Sequence, residues 1–128
     1  MNPSETLIAQ ITHIAQEAAI GLLAKTGTVQ PFGVIVIDNE PAPITYFPAE
    51  ENPKASFAQW LDSVTREVKH RVSEGDVKGF AIVTAMEKGQ QKVFAVQIEA
   101  AGNAFVLIYP YSKNDQGQWV VKEPQRAG

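Results

Sequence analysis

The chain has 128 residues, a formal net charge of −3 and no cysteine. One domain is expected at that length, large enough to bury a core without staples, and the missing thiols exclude a disulfide framework, a thiol nucleophile and cysteine-ligated metal. A mildly acidic balance with scattered Lys and Arg argues against a nucleic-acid partner, which needs a basic face.

The first predicted element is a helix. Asn2 can cap it, Pro3 suits its first position and Glu5 follows three residues after the cap. Leu7, Ile8, Ile11, Ile14, Ala15, Ala18, Ala19 and Leu22 make one apolar stripe at helical spacing. Lys25-Thr26-Gly27 supplies a cationic last turn and a glycine stop. The alanines and Gly21 are expected to let the helix approach whatever lies beneath it.

Phe32 to Ile37 is a β-branched and aromatic run, read as a strand buried on both faces. Asp38-Asn39-Glu40-Pro41 is turn chemistry, and Ile44 to Phe47 should return as a hairpin strand. Pro43 and Pro48 beside it suit an edge position, because proline donates nothing to a ladder. Ala49 to Lys54 reads as a polar connection. A second helix follows, capped either by Asn52 before Pro53 or by Ser56 with Gln59 behind it. Its stripe is Phe57, Trp60, Leu61, Val64, Val68 and Val72, so Leu61→Asp, like Ile11→Asp, is expected to bury a charge and unfold the domain. Asp62 with Arg66 and Glu67 with Arg71 are i,i+4 pairs on the wet side. The run Lys69-His70-Arg71 places cations at a helix C-terminus, where they offset exposed carbonyls.

The remainder reads as a meander: strands at Gly79 to Met86, Lys92 to Glu99, Ala104 to Tyr109 and Gln118 to Val121, with a polar loop from Lys113 to Gly117. Pro110 marks a strand end or edge, and residues 124–128 form a tail expected to fray. The fold class is therefore α+β over residues 1–128: an antiparallel sheet of five or six strands with two packed helices, in the order α-β-β-α-β-β-β with a further β. Strands 32–37 and 104–109 are apolar on both faces, so something must cover the second one. Either one helix sits on each face, or both share a face and the other meets a partner subunit.

Catalytic hardware is sparse. His13 and Glu17 stand i,i+4 but lack the third ligand that a metal site needs, and His70 stands among cations. Ser4 and Ser56 look like helix starts, and no nucleophile elbow or phosphate loop is present; Gly33 belongs to none. No catalytic residue, cofactor or metal is expected. Tyr46, Phe47, Tyr109, Tyr111 and Trp119 cluster near strand ends and form the candidate interaction surface, since Tyr and Trp join a large apolar body to a polar handle. Tyr111 and Trp119 should lie on neighbouring strands, either as an exposed aromatic patch or as ordinary cross-strand packing.

Gln30-Pro31-Phe32-Gly33, leading into Val34-Ile35-Val36-Ile37, resembles a small bacterial family with no assigned activity. Its members carry a helix, a Pro-Phe-Gly or Pro-Phe-Ala strand start, a second helix and a strand-rich end with a Tyr-Pro-Tyr-like segment, here Tyr109-Pro110-Tyr111. The resemblance spans nearly the whole chain and implies no catalytic residues. The element order is also similar to the roadblock and profilin-like sandwich folds, which often act as dimeric interaction modules. A roadblock-type domain closes with a helix, whereas Gln118 to Gly128 reads as strand and tail.

The leading expectation is a non-enzymatic interaction or scaffold domain, working as a homodimer or with a protein partner. The alternatives are a small-ligand binder, or an enzyme using carboxylates or tyrosines in a pocket near Tyr109 and Tyr111, and an immunity- or antitoxin-type protein. Residues 1–25 carry Glu5 and Glu17 without a basic start, and no apolar run approaches the ~20 residues of a membrane span. A cytoplasmic protein of bacterial style, with no membrane partner, is expected.

Overall fold

The computed structural model describes residues 2–40 and 42–127. Pro41 of the expected turn and Gly128 of the expected tail lie outside the described residues. Helix α1 spans Pro3–Thr26, with the Asn2 side chain accepting from the Glu5 N–H at 2.9 Å. Gly27 ends it in the left-handed conformation (φ 79°), its N–H returning to the Leu23 carbonyl, a geometry that glycine adopts without steric cost.

Strands β1 (Phe32–Ile37) and β2 (Ile44–Tyr46) form the expected hairpin. The segment expected as a polar connection instead holds one helical turn, α2 (Pro48–Glu51). Pro48 pre-sets the helical φ at the first position, and Glu50 and Glu51 favour the positive end of that turn. Helix α3 (Phe57–Ser73) takes the second of its two candidate caps: Ser56 and Gln59 exchange bonds in a capping box. The described residues therefore hold three helices where two are expected.

Strands β3 (Val77–Lys88), β4 (Gln91–Ala100) and β5 (Asn103–Lys113) are longer than the sequence indicates, and β6 (Trp119–Val121) and β7 (Gln125–Ala127) follow. All pairings are antiparallel, in the order β2-β1-β3-β4-β5-β6, with β7 also on β5. β5 runs through Pro110, where a strand end or edge is expected. The Pro110 carbonyl accepts from the Lys122 N–H at 2.8 Å, between the β7 and β6 pairings. The N–H that proline lacks would point to that same side, where the outer strand is interrupted. Gln125–Ala127, where fraying is expected, pairs with Val106–Ile108, and the Arg126 guanidinium lies 4.5 Å over the Phe105 ring.

One helix lies on each face. Under α1, Ile11, Ala15, Ala19 and Leu23 are fully buried against Phe32, Val34, Ala81, Val83, Phe94, Val96 and Ile98. On the other face, Val64 and Val68 of α3 pack on Ile35 and Ile37, with Phe80 and Ile82 beside them. Gly33 admits α3 closely, since a Cβ there would stand 3.2 Å from Val64 Cγ1. α1 is also long and apolar enough, by length and composition, to cross a membrane, with a mean hydropathy of 1.3 over its best window. That corrects the expectation that no segment qualifies. Four of its residues, Ile11, Ala15, Ala19 and Leu23, are wholly buried against the sheet.

Two expectations about packing change. Gly21 meets nothing within 4 Å of a built Cβ and is exposed, so it does not serve close approach. Gly21→Ala should therefore raise stability by about 0.5–1 kcal/mol, because helical glycine loses more backbone entropy than alanine; a chemical-denaturation midpoint that fails to rise would contradict this. Leu61 is 36% exposed, so Leu61→Asp does not bury a charge. α3 lies chiefly over β1 and β3, and a helix over two strands buries a narrow row, here Trp60, Val64 and Val68.

Candidate functional site

The sheet register distributes the five candidate aromatics over three places. Phe47 stacks on Phe32 (centroids 5.0 Å apart) and belongs to the core under α1. Tyr46 lies on the α3 side, where it lines a cleft with Trp60, Glu51 and Arg66. Its hydroxyl pKa is raised first by burial and then by the nearby Glu51 and Glu67 carboxylates. Tyr109 is core: its ring lies parallel to Phe94 at 4.7 Å, and its hydroxyl donates to Gln16 Oε1 at 3.3 Å. Burial alone raises its pKa.

Tyr111 and Trp119 do meet. Tyr111 pairs with Val121 and Lys113 with Trp119, which sets the two rings edge-to-face with centroids 5.7 Å apart. Tyr111 is buried and Trp119 half-buried, so the tyrosine packs across the strands and the indole forms the outer wall. Burial is the largest cause raising the Tyr111 pKa; a hydrogen bond with Thr28 acts the other way, and Glu87 adds to the rise. A Cβ at Gly27 would touch the Trp119 ring at 3.9 Å, so the end of α1 backs the indole.

Around this pair lies an open cleft of about 800 Å³. Lys92 from the start of β4, Lys113 from β5 and Lys122 from beyond β6 line it with Gln91, Tyr111 and Trp119. The Lys113 ammonium stands 4.9 Å from the Trp119 ring centroid, within cation–π range. Among the described residues, no carboxylate lies within 4.0 Å of any of these three ammonium groups. Glu87, opposite Lys92 in the β3–β4 register, marks the rim.

The second notable surface is the sheet face beside α3. Cross-strand rows there run Ile82–Gln97–Val106 and Thr84–Ala95–Ile108, half-buried except for exposed Gln97. Leu61, Phe80, Ile82, Gln97 and Glu99 line a groove where α3 meets it. Phe57 (42%), Leu61 (36%), Val72 (46%), Met86 (47%) and Val120 (40%) are the large apolar side chains left exposed. Each lies on α3 or alternates onto its side of the sheet. The α1 side leaves none among the described residues.

The residues weighed for chemistry stay apart. His13 and Glu17 are exposed on α1. His70, expected alone among cations, has a carboxylate partner in Glu74 at 2.8 Å. Asp62–Arg66 and Glu67–Arg71 form as the spacing predicts, at 2.9 and 3.0 Å. No group of three His, Asp or Glu able to hold a metal occurs among the described residues. Sequence reasoning missed the three lysines, which stand far apart in the chain and meet only through the β4–β5–β6 register. The chain matches no protein-family model, no curated protein and no solved structure.

Proposed function

We propose that this chain is a non-enzymatic interaction domain of the cytoplasm that pairs with a second copy of itself through the face α3 leaves open. The one-sided exposure of its large apolar side chains carries this reading. Soluble domains rarely leave such a contiguous patch without a partner.

Size and chemistry favour a second copy as the occupant. Strands ~4.8 Å apart rising ~3.4 Å per residue, with the α3 flank added, give on the order of 500–700 Å² per copy. Specific interfaces run near 800 Å² per partner, with transient ones below 600 Å², so the dimer should be dissociable. Thr84, Gln97 and Gln125 in the middle of the patch are uncharged, and the two charged side chains of its groove, Lys69 and Glu99, are of opposite sign, so the face can meet itself without a net like-charge conflict. Two such faces can stack in the aligned manner of a sandwich, about 10 Å apart.

Sedimentation velocity over a concentration series tests the pairing. The unaltered chain should move from monomer to dimer, and Leu61→Asp and Met86→Asp should each remain monomeric. Both side chains are exposed in one copy, so each change should cost the monomer no more than about 1 kcal/mol in dilute denaturation. A chain that stays monomeric throughout, or variants that dimerise as the parent does, would remove this function.

A further inference from the structure

We infer that the cleft at Trp119 binds a small phosphorylated ligand with a planar ring, of the nucleoside polyphosphate type. The assignment does not depend on the dimer.

Three lysines line this cleft in a chain whose net charge is −3. Elsewhere the described cations divide between four in carboxylate contact, Arg66, His70, Arg71 and Lys78, and others without one, such as Lys25, Lys54, Lys69 and Arg126. Lys92, Lys113 and Lys122 have no such partner among the described residues. Like charges gathered on adjacent strands repel one another, and an anion with several oxygens relieves that repulsion at all three positions. Phosphate chains suit lysine, a compact charge on a flexible stem that can follow more than one oxygen.

Trp119 supplies the second half of the site. Its indole is fixed from behind by Tyr111 and the end of α1, and Lys113 rests over it. A planar ring entering the cleft takes the place of that ammonium on the indole and frees Lys113 for the phosphate chain. The volume falls within the ~300–1,000 Å³ of ordinary ligand sites. A single nucleotide fits the chemistry better than a nucleic-acid strand, because the chain as a whole is acidic.

The probes are ATP, inorganic tripolyphosphate, adenosine and a short single-stranded oligonucleotide, each followed by equilibrium dialysis and tryptophan fluorescence at low salt. ATP should bind and quench, with tripolyphosphate and adenosine each weaker by at least about tenfold. The triple variant Lys92→Gln, Lys113→Gln, Lys122→Gln should lose ATP binding while melting as the parent does, since all three side chains are exposed. Trp119→Phe should abolish the quenching and keep part of the affinity through the remaining ring. ATP that fails to bind at millimolar concentration would overturn the proposal, as would unchanged affinity in the triple variant. Tripolyphosphate bound as tightly as ATP would refute the ring's place on Trp119, and binding of the oligonucleotide but not of ATP would refute the small ligand.

Discussion

Ile11→Asp should leave the domain largely unfolded at neutral pH. Ile11 has no exposed surface and opens the buried row of α1, over the floor where β3 and β4 pair. Losing its side chain alone costs about 2–5 kcal/mol through transfer and cavity terms. The carboxylate adds several kcal/mol more, because among the described residues no charged side chain is buried and an unpaired charge must be desolvated. Together these approach the ~5–15 kcal/mol total stability of an ordinary domain. Ile11→Val, by contrast, should cost only about 0.5–1.5 kcal/mol.

The cost should also depend on pH in a definite sense. Burial raises the folded pKa of the introduced carboxyl above its unfolded value of ~3.9. The penalty is absent below the unfolded value and grows as pH rises toward the folded one. Circular dichroism with urea titrations at pH 7 and near pH 4 should show the gap from the parent narrowing in acid. A cooperative, parent-like transition at pH 7 would mean that the site is not sealed.

The same row shows what the sequence made legible. Caps and apolar spacing placed α1 within a residue of its observed ends, because those signals are local and act through the chain's own backbone. Two-faced strands required cover on both sides, and the helices do divide between the faces. Leu61 could not be placed this way. Its periodicity is that of a buried stripe, but how much of a stripe is buried depends on how many strands lie beneath, which is a tertiary quantity. Pro110 misled similarly: proline argues against a central strand unless the neighbour is interrupted opposite it, and Pro124 sits in that interruption.

The candidate site divides along the same line. Contact between Tyr111 and Trp119 followed from a hairpin and a count of residues. The lysines are separated by some twenty and nine positions, and nothing in the linear order links them. Register does: Val93 faces Pro110 and Lys113 faces Trp119, which brings the start of β4, the end of β5 and β6 to one end of the sheet. Conversely, Tyr109 looked like surface chemistry and is core, because the pleat turns it to the α1 side, onto Phe94.

Gly79→Val should be strongly damaging although it introduces no charge. Gly79 lies opposite Ala100 in the β3–β4 register, with Ile11 descending on it from α1. A Cβ there would stand 2.8 Å from Ala100 Cβ, 2.9 Å from Ile11 Cδ1 and 3.1 Å from the Glu99 carbonyl oxygen. The Ile11 terminus can rotate aside, whereas the other two atoms are fixed by the ladder. Alanine at this position should cost about 1–3 kcal/mol by overpacking, and valine, with two further methyl groups in the same space, should exceed that range. The close approach serves packing: Gly79 has no left-handed φ, so the cost is steric and not conformational. Removing the nearest obstacle tests this directly. Gly79→Ala combined with Ala100→Gly should recover part of the loss in urea denaturation, the remainder reflecting the Glu99 carbonyl. Additive single effects with no recovery would show that the Ala100 methyl does not crowd Gly79 as described.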